Sequence, residues 1–128
     1  MFFGAIFKVK LFYQFLTLFI SIHIVDNITA YKSEIHLIIK SNGEGEQKIL
    51  NNTFYLNPSE VIINGETKNT CGKNCALKEG LNNVTIKFNG LINSCENMFK
   101  ELNNIIEIDL SNLDTSDVTT MASMFEQC

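Results

Sequence analysis

The chain has 128 residues, with 10 basic and 14 acidic side chains, no arginine, and a formal net charge of −4. That excludes the clustered Lys/Arg needed to displace counterions from nucleic-acid phosphate, and it disfavours an anionic membrane surface. The length allows one small domain and part of another.

The first thirty residues read as an export segment. Lys8 and Lys10 give a positive start, Leu11 to Val25 is a nearly unbroken apolar run, and Ile28-Thr29-Ala30 places a small residue at a cleavage position. This order is that of a hydrophobic signal-peptide helix. A membrane span needs ~20 apolar residues, so the run is short for one. The alternative is an uncleaved N-terminal anchor; membrane contact is expected only through it or through sequence downstream of Cys128. Cleavage after Ala30 would start the mature chain at Tyr31 with a net charge of −5, since Lys8, Lys10 and Asp26 leave with the segment.

Residues 31–80 read as a β-rich capping module. Ser33–Lys40 is dense in aliphatic and β-branched residues, and Ser41-Asn42-Gly43-Glu44-Gly45 breaks it. Gln47–Leu50 is expected to return as the second strand of that hairpin. Glu60–Ile63 and Glu66–Lys68 flank Asn64-Gly65, the strongest short-range signal for a type I′ turn. All four cysteines, Cys71, Cys75, Cys95 and Cys128, lie beyond the export segment. An even count in an exported chain suggests disulfides, and Cys71-Gly72-Lys73-Asn74-Cys75 is suited to closing a small loop. Asn51-Asn52-Thr53 and Asn83-Val84-Thr85 fit the N-glycosylation rule.

Residues 81–128 carry an internal repeat. Leu81-x-x-Val84-x-Ile86-x-x-Asn89-x-Leu91 matches the template L-x-x-L-x-L-x-x-N-x-L, and Ile105-x-x-Ile108-x-Leu110-x-x-Leu113 follows 24 residues on. Alternation should turn 84/86 and 108/110 inward from short strands that stack as neighbours. Met98-Phe99 returns as Met124-Phe125, offset by 26. The spacing of Val118, Met121, Met124 and Phe125 suits a short helical or 3₁₀ return.

Ile105 to Cys128 resembles the repeat unit of the BspA-like leucine-rich-repeat surface proteins, "I-x-x-I-D-L-S-x-L/F-D-T-S-x-V-T-x-M-x-x-M-F-x-x-C". Leu81 to Leu102 resembles it more loosely and lacks the D-T-S segment. The resemblance implies export, display on a cell surface and a part in adhesion or recognition, and the family has no catalytic residues to carry over. The expected architecture is mainly β: a hairpin module leading into the start of a leucine-rich-repeat-type solenoid.

Four carboxylates, Glu107, Asp109, Asp114 and Asp117, fall within one repeat, which raises a secreted hydrolase as a third reading. Strand alternation instead turns Glu107 and Asp109 outward, as a candidate contact face, and Asp114 and Asp117 suit capping of free N–H groups. His36 reads as a partly exposed strand residue without triad partners. No catalytic, cofactor-binding or metal residue is assigned, and no cofactor is implied. The expected function is a secreted or cell-surface, non-enzymatic protein recognising a protein or glycan. The second expectation is a truncated repeat protein with no autonomous function.

Overall fold

A computed structural model describes residues Lys32 to Cys128, so the expected signal peptide or anchor, residues 1–30, lies outside the described residues. The described residues are mainly β and contain no helix. Seven strands form: β1 (Ser33–Ser41), β2 (Gly45–Lys48), β3 (Glu60–Ile63), β4 (Glu66–Thr67), β5 (Asn74–Leu77), β6 (Gly80–Phe88) and β7 (Ile105–Asp109). Five make an antiparallel sheet in the order β4-β3-β6-β1-β7, and β2 pairs with β5 in a separate two-stranded ribbon.

β1 is the spine of the sheet because its sequence alternates fully. Ser33, Ile35, Leu37, Ile39 and Ser41 are buried, while Glu34, His36 and Ile38 face outward. Across from it β6 buries Asn82, Val84, Ile86 and Phe88, in a register that pairs Ile35 with Ile86 and Leu37 with Val84. The second edge of β1 is taken by β7, with Leu37 opposite Ile108 and His36 opposite Asp109. Ile106 is the extra residue of a bulge between the Glu107 and Ile105 pairings, and it is left exposed.

This arrangement corrects two expectations. The strands at 84/86 and 108/110 are not neighbours, because β1 lies between them; its nine-residue register with β6 offers far more paired backbone than a five-residue β7 could. Nor does the 47–50 segment return on β1, both of whose edges are occupied. Gly45–Lys48 pairs with β5 instead, and Ile49 and Leu50 turn into the core. The boundary expected between residues 80 and 81 falls inside the sheet, and Lys32 to Cys128 belong to one compact unit. The Asn64-Gly65 hairpin forms as expected, with φ of 52° and 84° joining Ile63 to Glu66.

Below the inner face of the sheet lie Phe54, Ile92, Cys95, Met98, Phe99, Leu102 and Met124, all in one buried cluster with the strand residues. Phe54 meets Phe88 edge-on at 6.1 Å between ring centroids. Leu81 and Leu91, the outer leucines of the first repeat template, are exposed. The template there describes a strand of the antiparallel sheet, in which Leu81 falls on the solvent-facing side.

The two Met-Phe segments are chains of tight turns, not helical returns. Met98, Lys100 and Leu102 donate to the carbonyls three residues back, as do Met124, Glu126 and Cys128. Asn97 and Glu101, and their equivalents Ser123 and Gln127, have positive φ between 53° and 63°. That left-handed backbone at every fourth residue stops helix propagation and turns alternate amides sideways. The amides of Cys95, Asn97, Phe99 and Glu101 therefore donate across to the carbonyls of Thr120, Ala122, Met124 and Glu126, at 2.8 to 3.1 Å. Phe99 and Phe125 stack at 5.8 Å with 11° between ring planes, and Lys100 pairs with Glu126 at 3.1 Å. The Glu126 carboxyl sits below its ordinary range through the Ser123 hydroxyl and then Lys100.

Candidate functional site

The outer face of the sheet carries rows of polar and charged side chains. Strand alternation places Glu34, His36 and Ile38 of β1 beside Asn83, Thr85 and Lys87 of β6, with Glu60 and Ile62 of β3 beyond. Glu107 and Asp109 of β7 complete it on the other side. The registers order these side chains into rows: Glu60, Lys87, Glu34; then Ile62, Thr85, His36, Asp109; then Asn83, Ile38, Glu107.

Charges alternate along the face. Lys87 reaches Glu60 at 3.2 Å and Glu34 at 4.0 Å. The His36 ring is held from both sides: Nε2 lies 2.8 Å from Glu34 Oε1, and Nδ1 lies 3.1 Å from the Thr85 hydroxyl. Asp109 accepts from the Ser111 amide at 2.9 Å. That bond and the Ser111 hydroxyl hold the Asp109 carboxyl below its usual range, with His36 adding a smaller pull. Asp114 is lowered in the same way by Ser116, which places it in a turn-capping role.

Between the rows lies a shallow cleft of about 310 Å³, lined chiefly by His36, Ile38, Asn83, Thr85, Glu107 and Asp109. Its chemistry is that of a hydrogen-bonding surface: two carboxylates, an imidazole, an amide and a hydroxyl around an aliphatic floor. Such a set can accept from hydroxyl or amide donors of a ligand and pack against an apolar patch beneath them.

The sequence-derived residues divide between places. Glu107 and Asp109 are exposed and line the cleft, and Asn83 lies on its opposite rim. A glycan on Asn83 and ligand contact at Glu107 and Asp109 would thus compete for the same space. Cys71 and Cys75 are at disulfide distance, with Cα atoms 5.0 Å apart, and close the loop that enters β5. Cys95 is buried and Cys128 exposed, both as free thiols.

Asn51 is corrected. It is 5 % exposed, and its Nδ2, the atom a glycan would occupy, donates to Lys100 O at 2.7 Å. Its Oδ1 accepts from the Thr53 amide and hydroxyl at 2.8 and 2.7 Å. Its own amide donates to Met98 O at 2.9 Å. No room remains for a sugar; the residue closes the first Met-Phe segment from above.

Glu34, His36, Thr85 and Lys87 carry the site without having been singled out for it. Strand alternation in Ser33–Lys40 already put Glu34 and His36 on one face; what the sequence lacked was the partner strand. Among the described residues no three His, Cys, Asp or Glu side chains converge to hold a metal ion, and no helix is long and apolar enough to cross a membrane. In comparison with known proteins, the chain matches no family model, no curated protein and no solved structure.

Proposed function

We propose that this chain is an exported, non-enzymatic surface protein that recognises a protein or glycan through the outer face of its sheet. The two Met-Phe segments are successive layers of a small turn-built stack beneath the sheet. The observation that carries this reading is the convergence of Glu107 and Asp109, both expected from sequence to face outward, with His36, Asn83 and Thr85 around one cleft. A recognition surface needs such side chains on a rigid element, and here all of them stand on paired strands. The box-to-box ladder supports the stacked part of the reading, because four alternate amides of the first segment donate to carbonyls of the second.

The test is binding of the full chain to a panel of immobilised glycans and extracellular proteins, with Glu107→Lys and Asp109→Asn as variants. Asp109→Asn keeps an acceptor for Ser111 while removing the charge. Both variants are expected to weaken the strongest interaction by about tenfold or more, the size of a central contact at an interface. Binding indifferent to both, or no binding across the panel, defeats the proposal. Export is read separately by N-terminal sequencing, with Tyr31 as the expected first residue.

A further inference from the structure

Asparagine followed by glycine is the least hindered pair for a reaction of the chain with itself, because no Cβ crowds the glycine nitrogen. The chain holds three such pairs, Asn42-Gly43, Asn64-Gly65 and Asn89-Gly90. All three asparagines are exposed, and a Cβ added to any of the three glycines would meet nothing within 4 Å. Local sequence and open space therefore do not rank them. Hydrogen bonding does.

Asn64 is held at both ends of its side chain. Nδ2 donates to Asn82 Oδ1 at 3.1 Å, and Oδ1 accepts from the Asn83 amide at 3.0 Å. Asn82 is itself fully buried and fixed by the Lys78 amide and the carbonyls of Lys78 and Gly80. The side-chain carbon of Asn64 can reach the Gly65 nitrogen only after both of its bonds break. Beside Asn42, Gly43 is tied to Ser41: the Ser41 hydroxyl donates to the Gly43 carbonyl, and the Gly43 amide approaches the same oxygen at 3.5 Å. Asn89-Gly90 lies just past the end of β6 and lacks both kinds of restraint. Neither the Asn89 side chain nor the Gly90 amide has a partner among the described residues; only the Asn89 amide is anchored, by Ser59 Oγ at 3.0 Å.

We propose that Asn89 is a covalent self-modification site, converted to aspartate or isoaspartate through its neighbour Gly90. The Gly90 nitrogen gives up its proton to solvent base and bonds to the Asn89 side-chain carbonyl carbon. The bond from that carbon to Nδ2 breaks, and Nδ2 leaves as ammonia with a proton from water. Water then opens the cyclic imide at either carbonyl. The net change is water in and ammonia out, with no oxidation or reduction. Holding both reacting atoms on adjacent residues makes the attack intramolecular, so freedom to close the ring sets the rate. The product carries a new negative charge where β6 ends, and its isoaspartyl form lengthens the exposed link between Phe88 and Ile92.

The test is incubation of the full chain at neutral and alkaline pH, followed by cleavage after lysine, which puts the pairs in separate peptides, 41–48, 49–68 and 88–100. Mass spectrometry follows the exchange of NH₂ for OH in each. Asn89 is expected to react fastest, at a rate that rises with pH, with Asn42 second. Asn64 should be slower than Asn89 by about tenfold or more, the cost of two ordinary hydrogen bonds. In the urea-unfolded chain the three rates should converge to within a few-fold, since only the fold separates them. Gly90→Ala, which fills open space, should slow Asn89 by about tenfold and leave Asn42 and Asn64 unchanged. An Asn89 rate no greater than that of Asn64 in the folded chain, the same ranking kept in urea, or a Gly90→Ala chain that reacts as before overturns the proposal.

Discussion

Replacing Asn51 with alanine is expected to destabilise the fold by about 3 kcal/mol. The side chain makes one bond to Lys100 O and two to Thr53, at 2.7 to 2.8 Å, from a position that is 5 % exposed. Each such bond contributes about 1 kcal/mol net, and a buried group left without a partner costs about 1–3 kcal/mol more. Thr53 can recover water, because it is exposed; the Lys100 carbonyl recovers less. Three lost bonds with partial recovery give the figure. For a domain of this size the melting temperature should fall by roughly 12–24 °C. Asn51→Asp should be at least as harmful, since it sets a carboxylate oxygen against Lys100 O in place of a donor. The assay is thermal unfolding followed by circular dichroism, with urea unfolding as a check on the free energy. Either variant within about 0.5 kcal/mol of the parent chain would refute the closing role given to Asn51.

Other outcomes follow from single features. Gly65→Ala should cost about 1–2 kcal/mol through its φ of 84° alone, since an added Cβ would meet nothing within 4 Å; a change well under 0.5 kcal/mol in urea unfolding would contradict the turn assignment. Burial pushes the Cys95 thiol up, so a thiol reagent should modify Cys128 in the folded chain and Cys95 only after denaturation; mass spectrometry showing equal rates would contradict its burial. The Glu126 carboxyl is held below its ordinary value of 4.5, so its support of the layer contact is full above that value and is lost as the pH falls through the lower folded one. Melting temperatures across that acidic range should fall less steeply for Glu126→Gln, and identical slopes would remove the Ser123 and Lys100 contacts as a source of stability.

Much of the strand content was legible because alternation is a local signal. Ile35, Leu37 and Ile39 state their facing without reference to any partner, and Asn64-Gly65 states its turn. Partner choice was not legible. The hairpin expected between residues 33–40 and 47–50 was the shortest connection, yet β1 is claimed on both edges by strands much later in the chain, which local spacing cannot reveal. The repeat at 98/99 and 124/125 correctly marked two equivalent segments, but its i, i+3 spacing suited turns as well as a helix; Asn97, Glu101, Ser123 and Gln127 decide the matter through left-handed backbone. Glu107 and Asp109 were found on an exposed strand face, while His36 gained its significance only when β6 and β7 came to flank it. Asn51 was misread because a sequon is a three-residue pattern, and burial is set by residues about fifty positions away.

The central place of β1 also governs the order of assembly. Emerging from the ribosome early, it finds no mate until Gly80–Phe88 arrives, and its other flank stays bare until Ile105–Asp109 has followed. Throughout that interval its aliphatic side chains lie open to other nascent strands, and distant pairings of this kind close slowly. Holdase chaperones, which shelter such stretches, should therefore govern the yield of this protein more than its final stability does.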